Sequence, residues 1–458
     1  MDTPLSTPVA EQPGRSLRVR LPFISTSFAT NVWLYALLWP LWWALGIEQV
    51  LLPFFVFYEF VRSLIANRWQ VRVNMTALIA LALALWWVVP IFWVDTQFLD
   101  IFLKEAASIW AQFFILVLFW TCIHTKADWF KIVDALTLIA FYTVTASAIY
   151  LSGVWRGEFV SVIGRVLPQS MVDASSFFTS IAYRRFGALA LPGDVGLFTL
   201  RLDAITLSFS ALSMLCLLLL PLLYWRMQIA RGPARLYYLA LIGGVFISLV
   251  FTESRIAYLA FLVGVVFYVS LRLHSFRPPN RPLTVALALA GSGLLLMGAV
   301  LLLNVILQWF QTTFVDLRPG SWLVRVYVYA QTLALLPQHP IAGWGMSVRL
   351  PNVASEYSAG THSSYLGMLF QHGIIGLLAY LALWLSIWLY VWRGLRQPGL
   401  SRHLAWFWCA MAATFLSFNV REVADTWWWD QLLLFTAWLM WGLTMTAGRV
   451  LQREKTHE

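Results

Sequence analysis

The amino-acid sequence predicts an all-α polytopic membrane protein of about 12 transmembrane helices, with two long periplasmic loops. Three observations carry that prediction. The 458 residues are 60% apolar and 11% charged, with a mean hydropathy of +0.73, whereas a soluble chain carries about 25% charged residues to cover its surface. Apolar runs of the length a bilayer requires, about 20 residues, recur along the chain. Cations gather in alternate connections between those runs. The composition excludes a soluble enzyme, a disordered chain and a coiled coil, because lipid has to solvate most of this surface. The 26 Trp, 16 Tyr and 32 Phe fit the aromatic belts of membrane interfaces. The net charge of +10 does not point to nucleic acid, since the 31 Lys and Arg are scattered and form no dense run.

The apolar runs are 30–47, 48–66, 75–94, 106–123, 133–153, 203–225, 236–252, 255–271, 283–305, 373–392, 403–420 and 429–447. The first follows a basic tail with Arg15, Arg18 and Arg20. It lacks the short core and small-residue cleavage site of a signal peptide, so it reads as a retained first helix. Glu59 and Arg62 lie three apart in the second run, within reach on one helix face, and read as a pair stabilising a helix end. Thr252-Glu253-Ser254-Arg255 interrupts the apolar stretch 236–271, so two short spans meet there in a tight turn. Cys122, Cys216 and Cys409 all lie in apolar runs without metal or disulfide spacing and read as small buried residues.

Loop charge sets the direction. The N-terminus, the connections near 67–74, 124–132, 226–235, 272–282 and 393–402, the span-end Arg62 and the C-terminus together hold 20 of the 31 Lys and Arg. That side is expected to be cytoplasmic. On the other side the short turns carry only Lys104, Arg255 and Arg421, and the remaining cations sit in two long loops, 154–202 and 306–363. Loops this long are usually functional or disordered. The chain divides into an N-terminal membrane region, 1–202, of about five spans plus the first long loop, and a second membrane region, 203–458, that contains the second. Within the latter, 322–336 is too short and interrupted to span and reads as an amphipathic helix lying on the membrane.

Ionisable groups inside the membrane are few, which counts against a proton-coupled transporter. Three outer residues stand out. Arg255 is either a solvated hairpin apex or a cation aimed at an anionic group, a task that suits the planar, permanently charged guanidinium. Arg325, among Val324, Val326, Tyr327 and Val328, is either a snorkelling side chain or a partly desolvated cation. Arg318 and Arg349 flank it. His362, in Thr361-His362-Ser363-Ser364-Tyr365 at the outer edge of the tenth run, is either structural or a neutral imidazole able to orient or deprotonate a sugar hydroxyl. His339 and His372 are possible supporting residues. No HExxH, Walker loop, GxGxxG or outer-loop DxD occurs, and no metal site is expected.

His362-Ser363, nine residues, Gly373, two residues and Gly376 resembles the His-[Asn/Ser/Gln]-x9-Gly-x-x-Gly signature of the bacterial O-antigen ligase and polymerase superfamily. Ser254-Arg255 resembles that family's Ser-Arg motif. Arg325 to Gly345, RVYVYAQTLALLPQHPIAGWG, resembles its Arg-x-x-x-Trp…Pro-[hydrophobic]-x-Gly-x-Gly block, with Tyr329 where the family often has Trp. The Pro-Asn pair often found before the sixth span is absent, Leu202-Asp203-Ala204 standing near that place. The resemblance implies a GT-C-type membrane glycosyltransferase that works without metal or other cofactor. It would move a glycan from undecaprenyl pyrophosphate to a sugar hydroxyl of lipid A–core, on the periplasmic face of the inner membrane. The alternatives are an O-antigen or exopolysaccharide polymerase of the same superfamily, a protein oligosaccharyltransferase and, from another class, a transporter or flippase of a lipid-linked anion. The implied catalytic residues are His362, Arg255 and Arg325, with Ser254, Ser363, Tyr329, Arg318, Gly343 and Gly345 holding substrate. Asn419-Val420-Arg421-Glu422…Asp430, before the Trp-rich last run, is faintly ligase-like.

Overall fold

A computed structural model describes residues 27–155, 157–189, 201–275, 319–350, 358–397, 399–428 and 430–451. Among these residues nine helices are long and apolar enough to cross a membrane. The predicted run 283–305 and Arg318 lie outside the described residues.

Three points go beyond the run-by-run sequence reading or depart from it. The first run is broken: helix α1 (Phe28–Leu37) ends at Leu38, and α2 (Trp39–Leu45) begins beside Pro40, whose ring suits a first helical turn and blocks an interior one. The last helix, α15 (Gln431–Leu451), is buried on nearly all sides, with Trp438 and Trp441 at 0% exposure. A helix apolar all round belongs inside a bundle, and α15 packs against α5 (Leu99–Cys122), α6 (Lys126–Leu151), α9 (Phe209–Ile229) and α13 (Ser364–Arg396). It therefore faces protein more than lipid. The first long loop, finally, is partly ordered as strands β1 (Gly157–Val160), β2 (Tyr183–Leu189) and β3 (Arg201–Ala204), an antiparallel sheet in that order. Helices α7 (Gln169–Ala174) and α8 (Ser176–Ala182) precede β2. A buried ion pair, Arg184 Nη2 to Glu48 Oε2 at 2.7 Å, ties this sheet to the start of α3 (Glu48–Ala66).

The rest follows the hydropathy pattern. Helix α4 (Met75–Val88) lies on α5 and α13, while α10 (Pro233–Phe251) lies on α9. Helix α11 (Arg255–Ser275) lies mainly on α14 (Arg402–Glu422). One apolar core runs from Phe28 to Val450, through both regions of the chain. Glu59 and Arg62 pair at 2.7 Å, and Asn31 Nδ2 donates to Glu59 Oε1 at 2.7 Å, the helix-stabilising role read from their spacing. Cys216 and Cys409 are buried and Cys122 half-buried, all as free thiols. Contacts of Asp425 with Ser210 and Ser364 and of α10 with β3 bring the described parts of the two long loops, the turn after α10 and the turn after α14 to one face, the loop face.

A candidate anionic-substrate site on the loop face

The second long loop builds its part of the site from helix α12 (Pro319–Leu335), the amphipathic segment expected near 322–336. Val328 is fully buried against Leu350, Ala359 and Phe370. Thr332 Oγ1 accepts from Gly360 N at 3.0 Å. These contacts hold α12 against the start of α13. Arg325 and Tyr329, one turn apart, share a face. The Tyr329 hydroxyl donates to the His362 carbonyl oxygen at 2.5 Å. A phenol at this position supplies a donor, as an indole would.

Ser363 then caps α13, accepting from Leu366 N at 3.3 Å, which sets the helix start at Ser364, two residues after His362. His362 itself sits at φ +60°, the left-handed region that a side chain occupies at a cost of about 1–2 kcal/mol. Tyr329, the cap and the pairing of β4 (Val348–Arg349) with β5 (Ser358–Ala359) hold it there. Strain of this kind gathers at functional positions.

The turn after α14 completes the cluster. Arg421 is 2% exposed; its Nη2 meets Asp425 Oδ2 at 2.8 Å and Ser210 Oγ at 2.7 Å, and its Nε meets Ser213 Oγ at 3.3 Å. Asp425 also accepts from the Ser210 hydroxyl and from Thr426 N, the latter at 2.9 Å. Its carbonyl takes Ser364 N at 3.0 Å and Ser364 Oγ at 2.9 Å. So the start of α9, the start of α13 and the end of α14 are tied through one carboxylate residue. Burial alone would raise the Asp425 pKa. The Arg421 guanidinium, His362 and the hydrogen bonds outweigh it and hold the carboxyl below its usual range. His362 is lowered from 6.5, chiefly by burial; Asp425 acts to raise it, and Arg325 and Arg421 to lower it. The imidazole is therefore neutral at pH 7, able to take a proton. Tyr329 is raised, mainly by burial, and stays a phenol.

The signature glycines answer to packing. Gly373 breaks α13 at φ +66°, ψ −170°, and a Cβ there would lie 2.0 Å from the Ile341 carbonyl oxygen. Gly343 and Gly345 have φ near +73° and +80°. Trp344 N donates to Phe370 O at 2.9 Å, and Gly345 N to Gln371 O at 2.7 Å. The segment Pro340 to Gly345 thus seats in the kink, about three turns along α13 from His362, where only backbone fits. His372 is fully buried, its ring 3.8 Å from that of Trp87, and His339 lies against Trp344. Beside the site, the buried Glu422 accepts from the Tyr380 hydroxyl, from Asn419 Nδ2 at 3.0 Å and from the Tyr365 hydroxyl at 3.3 Å. This locks α13 to α14.

Of the residues singled out in the sequence, the structure brings His362, Arg325, Tyr329 and Ser363 together. Gly343 and Gly345 stand behind them. Ser254 and Arg255 lie at the loop face, at the start of α11, but the charges acting on the His362 ring are those of Asp425, Arg325 and Arg421. Asp425 was missed. The available signal was Arg421-x3-Asp425, an i, i+4 pair ahead of the last span. In one dimension it is indistinguishable from a solvated turn.

A bundle of membrane-crossing helices with a histidine, arginines and an aspartate gathered on one face defines a polytopic membrane protein with a candidate polar site on that face. A family model described as O-antigen ligase matches residues 239–381, the stretch holding all three motifs. An O-antigen ligase of Pseudomonas aeruginosa is 28% identical over 226 residues, 48% of this chain and 51% of that relative, so the chain spans about half the length of the curated relative it matches. Over the stretches they cover, both matches are similarities to O-antigen ligases.

Proposed function

We propose that the chain is an O-antigen ligase-type glycosyltransferase. It moves a glycan from undecaprenyl pyrophosphate to a sugar hydroxyl of lipid A–core, without a metal. The observation that carries this reading is the neutral, half-buried His362 beside Arg325 and Asp425. In the step, the acceptor oxygen attacks the anomeric carbon with inversion. The anomeric C–O bond to pyrophosphate breaks, and the hydroxyl proton passes to His362. Negative charge builds on the departing pyrophosphate, and preorganised cations lower that barrier most. Arg421 is held by Asp425; Arg325, whose charge acts on the His362 ring, and Arg255, at the start of α11 on the same face, carry the phosphates. Ser254, Ser363 and Tyr329 are the nearest candidates for polar contacts to substrate. Donor, acceptor and surrounding lipid are the partners; nucleic acid is not.

Product formation tests the reading. Reconstituted with lipid-linked repeat alone, the chain should be idle, and it should transfer once lipid A–core is added. A ladder of longer lipid-linked chains without that acceptor would make it a polymerase.

The arginines give a graded test. Lysine keeps the charge and loses the two-point donor. At about 1.5–3 kcal/mol for a charge-assisted hydrogen bond, Arg255→Lys and Arg325→Lys should each slow transfer by about ten- to a hundredfold, and Arg→Ala by more. Arg235→Lys, at the far end of the bundle, should have little effect. The assay contains a chelator. Activity lost to chelation, with the Lys variants near full rate, would assign the pyrophosphate charge to a metal instead.

The reading also requires the loop face to be periplasmic, with both termini in the cytoplasm and the chain in the inner membrane. In a background lacking the three native cysteines, a cysteine at Val154, which is 79% exposed, should react with an impermeant thiol reagent in intact cells. One at Arg231 should not. The reverse pattern would put the site on the wrong side for a lipid-linked donor.

A further inference from the structure

Away from the loop face, α9, α10, α11 and α14 enclose an apolar groove of about 570 Å³. Leu217, Leu220, Ile242, Phe246, Phe261 and Val265 form its walls. It exists because consecutive helices α10 and α11 barely touch: α10 leans on α9, and α11 on α14. These two helices are also the least buried of the nine candidate spans, so the groove opens sideways toward lipid.

The groove has a charged end. Helix α9 starts at the loop face, where Ser210 meets Asp425, and runs away from it; the groove begins at Leu217 and ends beyond Tyr224. Arg272 and Arg402 line that far end. Both guanidiniums lie on the ring of Trp406, with Cζ at 4.5 Å and 4.6 Å from its centroid. Arg272 Nη1 is 3.5 Å from the Tyr224 hydroxyl. Two like charges are thus held on one indole, and no Asp or Glu is among the described residues lining the groove. A hydrocarbon slot capped by a pair of cations at its interfacial end matches one kind of molecule: acyl chains carrying an anionic headgroup.

We propose that this groove binds an anionic glycerophospholipid from the leaflet opposite the His362 face. Its acyl chains lie between α10 and α11, and its phosphate lies on Arg272 and Arg402. The lipid would fill the gap between two helices that hold each other weakly, so it would brace α11, the helix that presents Arg255 at the other end.

The test uses the full chain, purified in detergent, stripped of lipid, and offered equal amounts of phosphatidylglycerol and phosphatidylcholine, with retained lipid read by native mass spectrometry. Phosphatidylglycerol should be retained in preference. The Arg272→Gln, Arg402→Gln double variant should lose that preference by about tenfold or more, at about fivefold for each cation near a membrane surface. Arg235→Gln, on the same end outside the groove, should keep it. Val265→Trp, which fills the slot from a partly exposed position, should reduce retention of both lipids while the chain still elutes as a folded species. Equal retention of the two lipids by the native chain would overturn the proposal. So would a preference that survives the double variant, or a chain that keeps no lipid because its own residues fill the groove.

Discussion

Replacing His362 by alanine is expected to lower glycan transfer by about 10²–10⁴-fold, the range a positioned general base supplies, with expression and membrane insertion unchanged. His403→Ala, at the opposite end of the bundle, should be nearly silent. The pH profile gives a second readout. Burial and two arginines hold the His362 pKa below 6.5, so the imidazole stays a base at and somewhat below that pH. The acid limb of kcat/KM should therefore fall below pH 6.5. Stability has the same sign. The folded ring binds its proton less readily than the unfolded chain does, so its contribution is complete above about pH 6.5. It is lost as the pH falls from there toward the lower folded value. An active alanine variant, or an acid limb at or above 6.5, would make His362 a structural residue.

The second large effect is expected at Asp425. Asp425→Asn keeps the size and removes the charge that Arg421 needs. Breaking a buried pair by removing one partner costs about 3–5 kcal/mol, because the remaining cation has nowhere to be solvated. Asp425→Asn should lower the thermal midpoint in detergent and slow transfer by about a hundredfold or more. Taking out both charges, Arg421→Met with Asp425→Leu, should restore much of the stability, since apolar groups can replace a buried pair. It should not restore activity, because His362 loses the carboxylate charge beside it, although the bonds from Ser364 to the backbone carbonyl of residue 425 remain. Activity recovered together with stability would show that the pair supports the fold alone. Wild-type stability in Asp425→Asn would show that Arg421 reaches water.

Much of the molecule was legible in one dimension. A run of about 20 apolar residues has no stable solution in a bilayer other than a helix, so spans such as 48–66 and 403–420 match Glu48–Ala66 and Arg402–Glu422 closely. The motif around His362 was legible for a local reason. Ser363 caps, and Gly373 is the residue that tolerates the kink. The break between α1 and α2 was also written in Pro40, but hydropathy averages over such a residue. Sheet β1–β3 was hidden because its pairing joins residues far apart in the chain, Gly157 with Phe186 and Gly187 with Ala204.

Composition and periodicity by themselves determined that this is a helical membrane protein, and they set a histidine and arginines on the side of the long loops. Tertiary structure alone decided which of those charges meet. Asp425 follows Arg421 by four residues on the chain, but it acts on His362, 63 positions earlier, only because α9, α13 and α14 converge on it. Likewise the Trp-rich last run reads in sequence only as a span, and in space it lies inside the bundle. Hydropathy reports that a side chain avoids water. It does not distinguish lipid from protein as the place it goes, and that choice is made by which helices pack together.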